Sequence, residues 1–152
     1  MVGGKSLQEM TADHLMQTDP ITYHQDATGH TLAAVVIKRR SGSIPIVDNE
    51  GKLVGIVTEF DLLKALMEGK DLEKITAGEM MTRNPVTVSE KTSATEILDI
   101  LETGHLIHLP VVDIEGKLVG MIERYDVLTG YLESKTWAAQ PAILNRTEGK
   151  RQ

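Results

Sequence analysis

The stretch Val47-Asp48-Asn49-Glu50-Gly51-Lys52-Leu53-Val54-Gly55 returns 65 residues later as Val112-Asp113-Ile114-Glu115-Gly116-Lys117-Leu118-Val119-Gly120. The same shift carries Pro20 onto Pro85, Pro45 onto Pro110 and Asp61 onto Asp126. From Met16 to Leu66 the two copies align without a gap, with 14 identities in 51 pairs. Most other pairs are conservative, such as Ile21 with Val86 and Phe60 with Tyr125. A match of that length without a gap marks a duplication, and self-similarity at a fixed period defines the architecture before any single element does.

Each copy reads alike. A short helical turn (Ala12–Met16, Ala77–Met81) runs to Asp19-Pro20 or Asn84-Pro85, where proline ends a helix. Thr76 and Glu79 have capping-box spacing. Short β runs are expected at Ile21–Tyr23 and Val86–Val88. An amphipathic helix follows, clearest in the second copy: Ser93 and Glu96 again have capping-box spacing, Ile97, Ile100 and Leu101 keep helical spacing, and Gly104 marks the stop. Two apolar strands come next, Ile44–Val47 with Leu53–Val57 and Leu109–Val112 with Leu118–Ile122, joined by Asp-x-Glu-Gly turns in which glycine supplies a positive φ. A last helix closes each copy, at Phe60–Met67 and Tyr125–Leu132. The fold class is therefore α/β (α+β): two tandem β-α-β-β-α repeats, packed sheet to sheet with pseudo-twofold symmetry. A copy of about 50 residues buries too little surface to stand alone. The organisation is residues 1–11 as a lead segment, 12–68 and 77–133 as repeats, and 134–152 as a tail or arm carrying the only tryptophan, Trp137.

Composition narrows the function. With aromatics at 3%, the core must be built from Val, Ile, Leu, Met and Ala, and Met10, Met16, Met67, Met80, Met81 and Met121 read as gap fillers. No cysteine is present, which removes disulfides, thiolate metal sites and cysteine nucleophiles. The net charge is −6 and no Lys/Arg stripe exists; nucleic acid is a poor partner, and Lys38-Arg39-Arg40 reads as a solvated helix end. No apolar run reaches the ~18 residues of a membrane span, the start of the chain lacks a signal core, and a cytoplasmic protein is expected. The five histidines (14, 24, 30, 105 and 108) are scattered, and none has the company of a recognisable metal-ligand set. No nucleophile elbow, phosphate loop or zincin helix occurs, so no enzyme is expected, and neither a metal nor a catalytic cofactor.

The order β-α-β-β-α, the buried apolar-Pro-apolar strand, the Asp-x-x-Gly hairpin and the ending Gly-x-x-Thr-x-x-Asp resemble the cystathionine β-synthase (CBS) domain, and two in tandem resemble a CBS pair, or Bateman module. The resemblance covers roughly residues 12 to 132. It implies a non-catalytic regulatory module that binds AMP, ADP, ATP or a related adenosyl compound in a cleft between the copies. It also implies a homodimer, with signal output through an effector protein. The alternative is a constitutive protein-interaction or dimerisation module with non-functional clefts.

Within that frame the informative element is Gly55-Ile56-Val57-Thr58-Glu59-Phe60-Asp61. Thr58 and Asp61, three apart at a strand-to-helix junction, read by spacing alone as a helix cap. An ionised aspartate also accepts two hydrogen bonds, the pattern that a ribose diol supplies, while Thr58 can donate to a ribose or phosphate oxygen and Gly55 lets the backbone come close. The resemblance takes the opposite wall of this competent cleft from the other copy: Thr82, Val86, Thr87, Ile107 and His108. A basic residue often stands at the His108 position in the family, so a histidine there implies modest, pH-dependent phosphate affinity. The second cleft would hold Asp126, Glu123, Ile21, Thr22, Gly42 and Ser43. Glu123 replaces the family's Ser or Thr, and its carboxylate would repel phosphate, leaving that cleft weak or empty.

Overall fold

The computed structural model describes residues 6–136. The chain is α+β, with two three-stranded sheets. After a 3-10 turn at Leu7–Glu9 come α1 (Ala12–Leu15), β1 (Gln17–Thr18), α2 (Gly29–Arg39), β2 (Ser43–Val47), β3 (Leu53–Thr58) and α3 (Glu59–Met67). The second copy repeats the series as α4 (Ala77–Met80), β4 (Thr82–Arg83), α5 (Ala94–Thr103), β5 (His108–Val112), β6 (Leu118–Glu123) and α6 (Arg124–Thr136). The segment carrying Trp137 lies outside the described residues.

The leading strands differ from expectation. They lie at Gln17–Thr18 and Thr82–Arg83, before the prolines, whereas Tyr23 and Val88 each make only one isolated parallel bridge, to Ile46 and Val111. Between them Asp19 and Asn84 take positive φ (52° and 51°), which breaks the extended run. The helix stop also shifts. Gly104 caps α5 at φ −88°, and the left-handed turn falls on His105, as it falls on Arg40 after α2. The hairpin glycines behave as read, with Gly51 at φ 84° and Gly116 at φ 85°. In each turn the aspartate holds the loop: Asp48 Oδ1 accepts from the N–H groups of Glu50 and Lys52, and Asp113 Oδ1 from those of Glu115 and Lys117.

The copies exchange their leading segments. One sheet runs β1-β6-β5 and the other β2-β3-β4, so each copy's short first strand completes the sheet of the other. Two compact units result. The first ends its N-terminal part at Thr18, takes up Thr87–Val111 and resumes at Val119; the second comprises Asp19–Val86 and Val112–Leu118.

The same bonds seat the exchanged helix in each unit. In the first, Ala12 and Asp13 N–H donate to the carbonyls of Thr92 and Glu90, and Ala94 N–H to that of Met10. In the second, Ala77 and Gly78 donate to Ala27 and Gln25, and Gly29 to Ile75. Each unit has its own core: Leu15, Ile97, Leu109, Val111 and Ile122 in the first, Leu32, Ile44, Ile46 and Val57 in the second. Burying large aliphatic side chains, each worth about 1.5–3 kcal/mol, holds each unit together, with Tyr23 packed against the second core.

Candidate functional site

In the second unit the strand β3 delivers Thr58 to the N-cap of α3 in extended conformation. Thr58 Oγ1 accepts from Asp61 N–H at 3.2 Å, and Asp61 Oδ2 accepts from Thr58 N–H at 2.8 Å and from Thr58 Oγ1 at 3.1 Å. This reciprocal box satisfies the helix start. It also leaves the aspartate lopsided. Among the described residues every hydrogen bond to its carboxylate falls on Oδ2, and Oδ1 accepts none.

Directly across the β2–β3 ladder from Thr58 stands Ser43. Opposed residues of antiparallel strands share a face, so both hydroxyls lie on the same side of the sheet. Ser43 is only 5% exposed, and its Oγ is buried without a hydrogen-bond partner among the described residues. Buried hydroxyls are ordinarily satisfied, so an orphan on the sheet face that carries Thr58 marks a place for a polar partner. Gly42 accepts from Glu59 N–H at 3.0 Å, tying the entry of β2 to the start of α3.

The structure therefore brings together Gly42, Ser43, Gly55, Thr58 and Asp61, and adds Thr82, whose strand pairs Thr82 with Ile56 and Arg83 with Gly55. Ser43, assigned with Gly42 to the Asp126 cleft by the resemblance, pairs with Thr58 in the ladder, and the Gly42 carbonyl bonds the start of α3. Ile21 and Thr22, expected there too, belong to this second unit, as does the exposed Val86. Thr87, Ile107 and His108 belong to the first unit. Gly55 has a reason other than close ligand approach. A β-carbon on it would lie 2.5 Å from Met81 Sδ, so the glycine makes room for the exchanged segment.

The repeat-related half-site in the first unit is built differently. Asp126 is 1% exposed, and its Oδ2 accepts from Glu123 N–H at 2.8 Å. Gln17 Nε2 donates to Oδ2 at 3.1 Å and to Oδ1 at 3.3 Å, and also reaches Tyr125 Oη at 3.3 Å. Gln17 escaped the sequence reading because nothing local links position 17 to position 126; only the exchange of β1 into the β6 sheet does.

His108 heads β5, half-buried, with Nε2 buried and unpartnered among the described residues. Burial, and then the positive charge of Arg124, pushes its pKa down to about 4, so the ring is neutral at pH 7. Arg124 itself spends Nε on the Leu106 carbonyl at 2.7 Å. Between α5 and α6 a cavity of about 400 Å³ is lined by Leu98, Leu101, Glu102, His105, Arg124, Val127 and Leu128, and it includes none of the expected site residues. Among the described residues no His, Asp and Glu side chains gather as metal ligands, and no helix is long and apolar enough to cross a membrane.

The family model described as CBS domain matches residues 12–68 and 77–133. The homoserine O-acetyltransferase of Methanococcus vannielii is 30% identical over 121 residues, which is 80% of this chain and 25% of that protein. The chain spans between a fifth and a quarter of the first curated relatives that it matches. The CBS domain pair of protein MJ0100, solved in complex with 5′-methylthioadenosine and S-adenosyl-L-methionine, superposes with a TM-score of 0.71 at 32% identity, covering 78% of this chain and 93% of that one. The protein CBSX2, solved in complex with AMP, superposes with a TM-score of 0.74 at 24% identity, covering 83% and 98%, a likeness of fold.

Proposed function

The chain belongs to the CBS-domain family, in which it carries two copies of the domain, and on that premise we propose that it is a non-catalytic regulatory module that binds an adenosine nucleotide or another adenosyl compound through Asp61. The observation that carries this is Asp61 Oδ1, which accepts no hydrogen bond among the described residues, in a half-site where Ser43, across the ladder from Thr58, keeps a hydroxyl without a partner among those residues. A ribose diol supplies donors for the carboxylate oxygen, and a sugar or phosphate oxygen accepts from the serine. The adenosyl ligands of the MJ0100 CBS pair, at 32% identity, support the same chemistry. Thr58 contributes by holding Asp61 in place, because its hydroxyl is already engaged on both sides by the cap.

Output through a second protein or a second copy belongs to the same reading. Phe60, Leu63, Leu66 and Met67 of α3 stand exposed, Phe60 at 66% and Met67 at 78%, and apolar side chains bared along one short helix support a homodimer or an effector contact. A cytoplasmic location belongs to the same reading. Ligand acts by shifting a population, through different affinity for two states.

A thermal-shift panel of AMP, ADP, ATP, NADH and S-adenosylmethionine tests the proposal. A ligand at one hundred times its dissociation constant stabilises by about 2.7 kcal/mol, and Asp61→Ala removes the shift. Silence from every compound replaces this reading with that of a constitutive interaction module.

A further inference from the structure

Resting on the adenosyl-binding reading, we propose that Gln17 is an internal occupant of the Asp126 half-site, so that each chain takes one nucleoside, at Asp61, and none at Asp126. The duplication makes the comparison direct. Shifted by 65 residues, Gln17 corresponds to Thr82, Asp126 to Asp61 and Glu123 to Thr58. The register is equivalent as well: Gln17 pairs with Met121 and Thr82 pairs with Ile56. Two strands in the same position therefore present side chains of different reach to the same aspartate.

Gln17 is long enough to arrive. Its amide donates to both oxygens of Asp126, at 3.1 and 3.3 Å. That is the hydrogen-bond pattern which a vicinal diol would offer a carboxylate, here supplied from within the chain. Thr82 is short and exposed, and among the described residues it donates nothing to Asp61, whose Oδ1 accepts no hydrogen bond there. Burial follows the same division, with Asp126 at 1% exposure and Asp61 half-buried. An intramolecular donor competes at high effective concentration, so a ligand must displace it and then satisfy a buried carboxylate. At the Asp61 half-site the orphan hydroxyl of Ser43 asks for a partner instead.

The test is calorimetric titration of the full chain with AMP, repeated with S-adenosylmethionine. Wild type and Glu123→Thr should each bind one ligand per chain. Asp126→Asn should leave the affinity within about twofold, and Asp61→Ala should weaken binding by more than about tenfold, the scale of lost charged hydrogen bonds. The double variant Gln17→Thr/Glu123→Thr should bind two. Two ligands on wild type or on Glu123→Thr alone, or one on a folded double variant, overturns the proposal.

A second arm needs no ligand. Urea unfolding of Gln17→Ala, Asp126→Asn and their combination should show non-additive losses, a several-fold coupling in the folding equilibrium. Additivity overturns the occupant contact. If no compound of the panel binds wild type while the coupling is present, it is the adenosyl reading that fails, and the Gln17–Asp126 lock remains as a closed half-site.

Discussion

Gly55 and Met81 occupy one shared volume: the glycine of β3 lies under the methionine that leads into β4, so close that a β-carbon on Gly55 would sit 2.5 Å from Met81 Sδ and 2.9 Å from the carbonyl oxygen of Thr82. Gly120 stands in the same relation to Met16 and to the carbonyl of Gln17. The identity of these glycines in both copies thus comes from strand exchange. Gly55→Ala should destabilise the protein by about 1–3 kcal/mol through overpacking against backbone that cannot retreat. Urea denaturation measures this, and an unchanged midpoint would show that β4 does not dock as described.

Ser43 should separate stability from binding. Its buried hydroxyl has no partner, so Ser43→Ala removes a desolvated group without breaking a bond among the described residues. Without ligand the variant should match wild type or gain up to ~1 kcal/mol, while affinity for AMP falls several-fold. A clear loss of stability in the free protein would mean that the hydroxyl is satisfied after all.

His108 should remain neutral well into the acid range. Its pKa in the folded chain is about 4 against an ordinary 6.5, because burial and the nearby Arg124 oppose a second positive charge. Between those two values the unfolded chain holds more protons than the folded one, so stability must fall as pH drops from about 6.5 towards 4. His108→Asn should flatten that part of the stability profile. An NMR titration of the ring with a midpoint near 6.5 would contradict this account, and would restore a pH-dependent charge at the position.

Asp13 offers a lower window. Its hydrogen bond to Lys91 Nζ at 2.8 Å, then one from the Thr11 hydroxyl, holds the carboxyl at about 2 instead of 3.8. A depressed carboxyl contributes stability above its unfolded value and loses it as pH falls through the folded one, here from about 4 down to 2. Lys91→Ala should raise the Asp13 midpoint towards the ordinary range, read by carboxyl-carbon NMR. Because the lysine is largely exposed, the effect should shrink in high salt.

The duplication, the hairpin turns, the buried apolar strands and the pair Thr58–Asp61 were all legible in the residue string, because each depends on neighbours within a few positions: an aspartate that holds its own turn, a glycine at positive φ, a hydroxyl three residues before its carboxylate. The leading strands were misplaced by a few residues, since two-residue strands carry no periodicity and their place is set by the sheet that accepts them.

What tertiary structure alone decided is which segment completes which sheet. That choice puts Gln17 on Asp126, 109 positions away, and Ser43 across from Thr58, its hydroxyl without a partner among the described residues. Sequence spacing determines contacts along one element, whereas the satisfaction of a buried polar group depends on whatever side chain another element brings to it. For that reason two aspartates at equivalent positions of the repeat end in different states: both oxygens of one accept from an amide of another element, while one oxygen of the other accepts nothing among the described residues.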